Sequence, residues 1–138
     1  MKKKKLIVFG IGVFVLMGIG TINKSLSAQL SFLMTPLVQD IKMRSGETKN
    51  LGFTIFTWSG AFQTVKFRLY LLDFNLTREG KVQFFSPGTL KRSCSLWCKI
   101  DYPEIAIRPG EEKRITVTIK APGEVYGGYY AALILENI

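Results

Sequence analysis

The stretch TVKFRLYLL (Thr64–Leu72) constrains this chain more than any other. Val65, Phe67, Leu69 and Leu71 fall on one side of an extended backbone, and Lys66, Arg68 and Tyr70 on the other. Successive side chains of a strand point to opposite faces, so the segment has one face for a core and one for water. Three further stretches repeat the pattern. TKNLGFTIF (Thr48–Phe56) aligns Leu51, Phe53 and Ile55; EIAI (Glu104–Ile107) aligns Ile105 and Ile107; RITVTIK (Arg114–Lys120) aligns Ile115, Val117 and Ile119. Past the N-terminal region no segment offers ten residues of helical period, so the prediction is an all-β chain with these sets as its core.

Turn chemistry agrees. RSGE (Arg44–Glu47), WSG (Trp58–Gly60), REGK (Arg78–Lys81), RPGEE (Arg108–Glu112) and APGE (Ala121–Glu124) put glycine or proline where strands must reverse. Connections this short leave no room for βαβ crossovers, and a two-sheet sandwich of about seven strands follows. After Leu71 the apolar phase shifts by one, so that Leu72, Phe74 and Leu76 continue the row of Lys66, Arg68 and Tyr70. That shift predicts a bulge, or a strand that leaves one sheet for the other. Pro36, inside LSFLMTPLVQDIKM (Leu30–Met43), cannot donate to a ladder and predicts an edge strand or a switch between sheets. The last strand, GGYYAALIL (Gly127–Leu135), is apolar on both faces, with Tyr129, Ala131, Leu133 and Leu135 on one and Tyr130, Ala132 and Ile134 on the other. A rim strand normally has one polar face, so a covering is expected: another domain of the same protein, a partner, or merely small alanines and a tolerated tyrosine. Its free edge is expected to invite pairing with another chain.

The first 28 residues have a different logic. Four lysines precede an apolar stretch from Leu6 to Ile22, and Ser25, Ser27 and Ala28 follow. This is the layout of a secretory signal, with cleavage after Ala28 or Ser27. An uncleaved anchor is the competing reading, because about 17 apolar or small residues lie at the lower limit for crossing a bilayer. The expected division is therefore a signal helix or anchor over 1–28 and one sandwich domain over 29–138, exported to the periplasm or the cell surface. Membrane contact is expected only through residues 6–22, if uncleaved.

The formal charge of +9 looks suited to nucleic acid, but five basic residues and no acidic ones lie in 1–28. The remainder has 14 basic residues against ten acidic ones, a formal +4, which serves solubility and weak attraction to anionic envelope polymers. No basic cluster is interleaved with stacking aromatics, so no nucleic-acid partner is expected.

The chain has no histidine, which removes the commonest general base and metal ligand and with them any Ser-His-Asp or Cys-His arrangement. Glu111 and Glu112 are neighbours in a turn, where solvation explains them better than a catalytic dyad. No cofactor, metal site or catalytic residue is predicted, and enzyme activity is not expected. Cys94 and Cys98, in SCSLWC, are the most specific local feature. An exported pair is most economically a disulfide, which here requires a turn over Ser95–Trp97 and would fix the pose of Trp97; two free thiols are the alternative. Trp58, Tyr126, Tyr129 and Tyr130 are candidate partner-binding aromatics, with core and contact roles equally open for Trp58 and Tyr126. Trp97 is expected on the core beside the cysteines.

One resemblance runs through these signals. PLVQDIKMRSGETKNLGFTI, a long strand closing on Asp73-Phe74, Ser95-Leu96-Trp97, IAIRPGEEKRITVTIKAP and GGYYAALI follow in that order over about 100 residues. The series resembles the immunoglobulin-like amino-terminal domain of periplasmic pilus-type chaperones and the similar domains of cell-wall-associated WxL-type proteins. The resemblance implies a non-enzymatic module that binds extended segments of another envelope or surface protein by edge-strand pairing. Its alternative is a module binding wall polymer such as peptidoglycan. In those chaperones a lysine on the last strand and an arginine on the first clamp the partner's carboxylate. Here Tyr129–Ile138 has neither residue, and Lys42 and Arg44 stand only near the end of the first strand, so the resemblance carries the fold and the pairing mode without that clamp.

Overall fold

The computed structural model describes residues 7–16, 32–57 and 63–138. Among them are ten strands and one turn of 3-10 helix: β1 (Ile7–Leu16), β2 (Phe32–Thr35), β3 (Val38–Met43), β4 (Thr48–Thr57), β5 (Val65–Leu76), β6 (Val82–Phe85), the helical turn Ser95–Trp97, β7 (Cys98–Ile100), β8 (Glu104–Ile107), β9 (Glu112–Lys120) and β10 (Gly127–Asn137). One sheet has the order β2-β4-β9-β7; the other runs β3-β1-β10-β5-β6, with β8 also paired to β5.

The alternating sets predict the core well. Phe53, Ile55, Phe67, Ile107, Ile115, Val117 and Ile119 are fully buried, and Leu51, Val65, Leu69 and Ile105 nearly so. Each such side chain contributes about 1.5–3 kcal/mol by leaving water. Gly46, with φ of +77°, makes the reversal between β3 and β4, and the Glu47 amide closes that turn on the Arg44 carbonyl at 3.1 Å.

Pro36 marks the predicted switch. β2 before it pairs with β4 in one sheet, and β3 after it pairs with β1 in the other. Behind the phase shift after Leu71, by contrast, there is neither a bulge nor a change of sheet. β5 is one continuous strand of twelve residues, paired on one edge with β10 and on the other with β8 at its start and β6 at its end. The shift records a change in what the two faces meet. Asp73 takes the inward row, fully buried, while Leu72, Phe74 and Leu76 take the outward one.

This is the immunoglobulin-like arrangement, in which strands A, B, E and D form one sheet and C, F and G the other. β2, β4, β9 and β7 correspond to A, B, E and D, and β5 and β10 to C and F. β1 fills the place of G. The expected N-terminal helix is not shown: Ile7–Leu16 is a strand bonded to β10 and β3, and the flanking parts of residues 1–28 lie outside the described residues. No helix among the described residues is long and apolar enough to cross a membrane.

Candidate partner-binding site at the head of the last strand

β10 has backbone partners on both edges. Ala132–Asn137 pair antiparallel with β5, and Gly127–Glu136 pair parallel with β1. The expected free edge is thus corrected: with β1 in place, β10 is an interior strand. Ala131 to Leu135 are all fully buried, which accounts for the apolar residues on both faces.

Where β5 stops pairing with β10, the loop before Cys94 takes over. The Tyr130 amide donates to the Arg92 carbonyl at 2.8 Å, and the Cys94 amide donates to the Tyr130 carbonyl at 3.1 Å. Asp73 holds that loop in place. Its carboxylate accepts the amides of Leu90 at 2.8 Å and Gly88 at 3.2 Å, and a short hydrogen bond from Ser93 Oγ. Burial pushes the Asp73 carboxyl up, but the Leu90 amide, the Ser93 and Ser95 hydroxyls and the Gly88 amide outweigh it and hold it below its ordinary value. The Ser95 hydroxyl makes no hydrogen bond of normal length and angle, so it acts there as a nearby dipole.

This loop closes one side of a half-open cavity of about 320 Å³ on the outer face of the sheet. Phe74, Leu76, Leu90 and Tyr130 make apolar walls, with Arg92 and Ser93 beside them. Leu76 and Tyr130 are 64% and 49% exposed, so their apolar surface is open to a partner. Arg92 is spread over the neighbouring turn. Its Nη1 donates to the Tyr126 carbonyl at 2.8 Å, and its guanidinium lies 5.3 Å from the centre of the Tyr129 ring. Gly127 makes this fit possible: its φ is +91°, and a Cβ there would stand 2.8 Å from Arg92 Nη1.

The four aromatic candidates therefore part company. Tyr130 lines the cavity and Tyr126 is exposed beside it. Tyr129 turns inward, packs on the core and meets the Trp97 ring with centroids 4.6 Å apart. Trp58 lies outside the described residues. Trp97 packs against the core beside Cys98, as expected. Phe74, Leu76, Leu90 and Arg92 were missed from sequence, although the phase shift after Leu71 signals the first two.

The expected disulfide is not found. The required turn exists, with the Trp97 amide bonded to the Cys94 carbonyl at 3.0 Å, yet both cysteines are free thiols. That turn aims the Cys98 thiol at the Cys94 carbonyl oxygen, 3.3 Å away. Contact with the Cys98 thiol, and then burial, push the Cys94 thiol well above its ordinary range, which leaves it a protonated core side chain. Glu111 caps its own turn by accepting the Arg108 amide at 2.8 Å, and this bond lowers its carboxyl. The described residues contain no group of three or more potential metal ligands.

No family model matches the chain, and no curated protein matches it. Among solved structures it is similar to the PapD-like (ASH) domain of human CEP192, its PapD-like domain 7, at 9% identity and a TM-score of 0.41. That match covers 88% of this chain and 96% of the other.

Proposed function

We propose that this chain is an exported, non-enzymatic binding module that docks another envelope or surface protein at the head of β10, in a chaperone-like manner. The observation that carries the reading is the apolar cavity beside Tyr130. It opens on an outer sheet face whose lower half, at Lys66 and Arg68, is charged and exposed. Exposed apolar surface walled by aromatic and aliphatic side chains, with an arginine at its rim, is the composition of a protein-docking patch. The signal-like first 28 residues support export. The lack of histidine argues against acid-base catalysis.

A photoreactive phenylalanine in place of Tyr130 tests this in intact cells, with the same residue in place of Lys99 on the other sheet as control. One protein crosslinked from position 130 and not from 99 supports the proposal. Crosslinks to wall polymer alone move the module to the wall-binding alternative, and no crosslink from 130 overturns the docking patch.

A further inference from the structure

The slot that β1 fills has its own sequence requirements, which the register of β1 spells out. Ile7, Phe9, Ile11, Val13 and Val15 are the partners of Gly127, Tyr129, Ala131, Leu133 and Leu135 along β10, the row of the inner face. On the other side Ile7 and Phe9 are the partners of Met43 and Ile41 of β3, both packed in or on the core. The intervening positions differ: Gly10 stands opposite Tyr130, and Gly12 opposite Ala132. The register thus places apolar residues of β1 along one row and Gly10 opposite Tyr130 in the other. Its ten pairs with β10 include no charged residue of β1. Direction is the second peculiarity. Strand G of a sandwich runs antiparallel to F, whereas β1 runs parallel to β10.

A segment read from sequence as an export signal therefore occupies a structural place, in the reverse sense to the strand usual there. Leaving that place empty would strip partners from the backbone groups along one edge of a strand buried on both faces, at a cost of several unsatisfied groups. We propose that the slot between β3 and β10 is a strand-acceptor site and that Ile7–Leu16 is its intramolecular occupant. When that segment is drawn into a membrane or removed, an extended, uncharged segment of a partner protein replaces it. The incoming segment spans about ten residues, runs parallel to β10, and has large apolar residues at alternate positions and a small one opposite Tyr130. This deepens the docking proposal and rests on it.

The test uses the full chain. Gly12→Pro removes a ladder donor from β1, and amide hydrogen exchange then reads the slot. The expected result is at least tenfold faster exchange at those β10 amides that do not bond to β5, with β4 and β9 unchanged. A peptide of the Ile7–Leu16 sequence, flanked by lysines for solubility, restores protection; the same peptide with its sequence reversed does not. Unchanged exchange in Gly12→Pro overturns the proposal, as does equal rescue by both peptides, or recovery without peptide through a dimer seen by light scattering. Should Gly12→Pro unfold the chain, the wild-type protein is challenged with the peptide carrying a photoreactive phenylalanine at the place of Phe14. A crosslink near Ile134 supports the site, and none overturns it. Failure of the peptides while Tyr130 still crosslinks a protein in cells overturns the slot alone; failure of both also overturns the docking patch.

Discussion

The two halves of β5 belong to one continuous strand and have opposite polarity. In the first half Val65, Phe67 and Leu69 are buried against the other sheet, while Lys66 and Arg68 face water. In the second half the inward position holds the Asp73 carboxylate, and Leu72, Phe74 and Leu76 turn outward, the latter two into the cavity wall. The first half obeys the rule for a half-buried strand. The second breaks it twice, with a buried charge and an exposed apolar patch. The two breaks are linked: Asp73 organises the loop of Gly88, Leu90 and Ser93, and that loop completes the cavity which the outward residues line. Departures from local consistency are expected where a chain does something other than fold.

The sharpest contrast is inside the strand. Phe67→Ala, in the first half, leaves a cavity at a fully buried site and is expected to cost about 3–5 kcal/mol, read by urea denaturation. Asp73→Ala, in the second, strands the Leu90 and Gly88 amides and is expected to cost about 2–4 kcal/mol. Asp73→Asn, which keeps one acceptor oxygen, is expected to cost about 1–2 kcal/mol. Only the Asp73 variants should also open the loop, seen as faster exchange at the Leu90 amide. If Phe67→Ala opens that loop equally, the halves are one cooperative unit and the comparison fails.

The halves also differ in their response to acid. Because the folded Asp73 carboxyl is held below its unfolded value, the unfolded chain takes up its proton first as pH falls. The stabilisation is complete above the unfolded carboxyl value of about 3.9 and is lost as pH drops through the lower folded value. Thermal melts across this window should show stability falling with acid in the wild type, and a flatter slope in Asp73→Asn. An unchanged slope would mean that other carboxylates dominate the acid transition.

Sequence shows one half of this strand better than the other for a physical reason. Burial of alternate apolar side chains is a local pattern, so Phe53, Phe67, Ile115 and Val117 could be placed without any tertiary knowledge. Pro36, lacking its donor, could likewise be placed at the switch between sheets. Asp73 could not, because what satisfies it comes from a loop 15 to 20 residues further on. The apolar shift at Leu72, Phe74 and Leu76 is visible in the sequence, but it predicts a bulge or a change of sheet, whereas its cause is the surface those residues face. Ile7–Leu16 escaped for a third reason: its continuous apolar run suits a signal, an anchor or a fully buried strand, and periodicity alone does not separate these. The thiols show a similar limit, since spacing revealed the need for a turn at Ser95–Trp97 but not where that turn aims Cys98.

On the surface, the second half should matter for binding and not for stability. Leu76→Ser and Tyr130→Ser alter residues about half or more exposed, so stability should move by about 0.5 kcal/mol or less. If they are contact anchors, each is expected to weaken capture of the partner crosslinked at position 130 by about tenfold, near 1.4 kcal/mol. Equal loss from both in stability and none in capture would make the cavity a packing feature.

Arg68→Ala, on the outer face of the first half, should have the smallest effect. Its guanidinium meets Glu104 Oε1 at 3.2 Å, but the two side chains are 51% and 59% exposed. Water and salt screen such a pair, and holding two long side chains in one pose offsets much of the gain. The expected change is within about 0.5 kcal/mol by denaturation, shrinking further as salt is added, with capture of the partner unaltered. A cost above about 1 kcal/mol would show that Arg68 is tied into more than this ion pair, for which Glu136, its register partner on β10, is the candidate. A loss of capture would be more damaging, because the charged half would then share in docking and the inversion of polarity along β5 would no longer mark where the site begins.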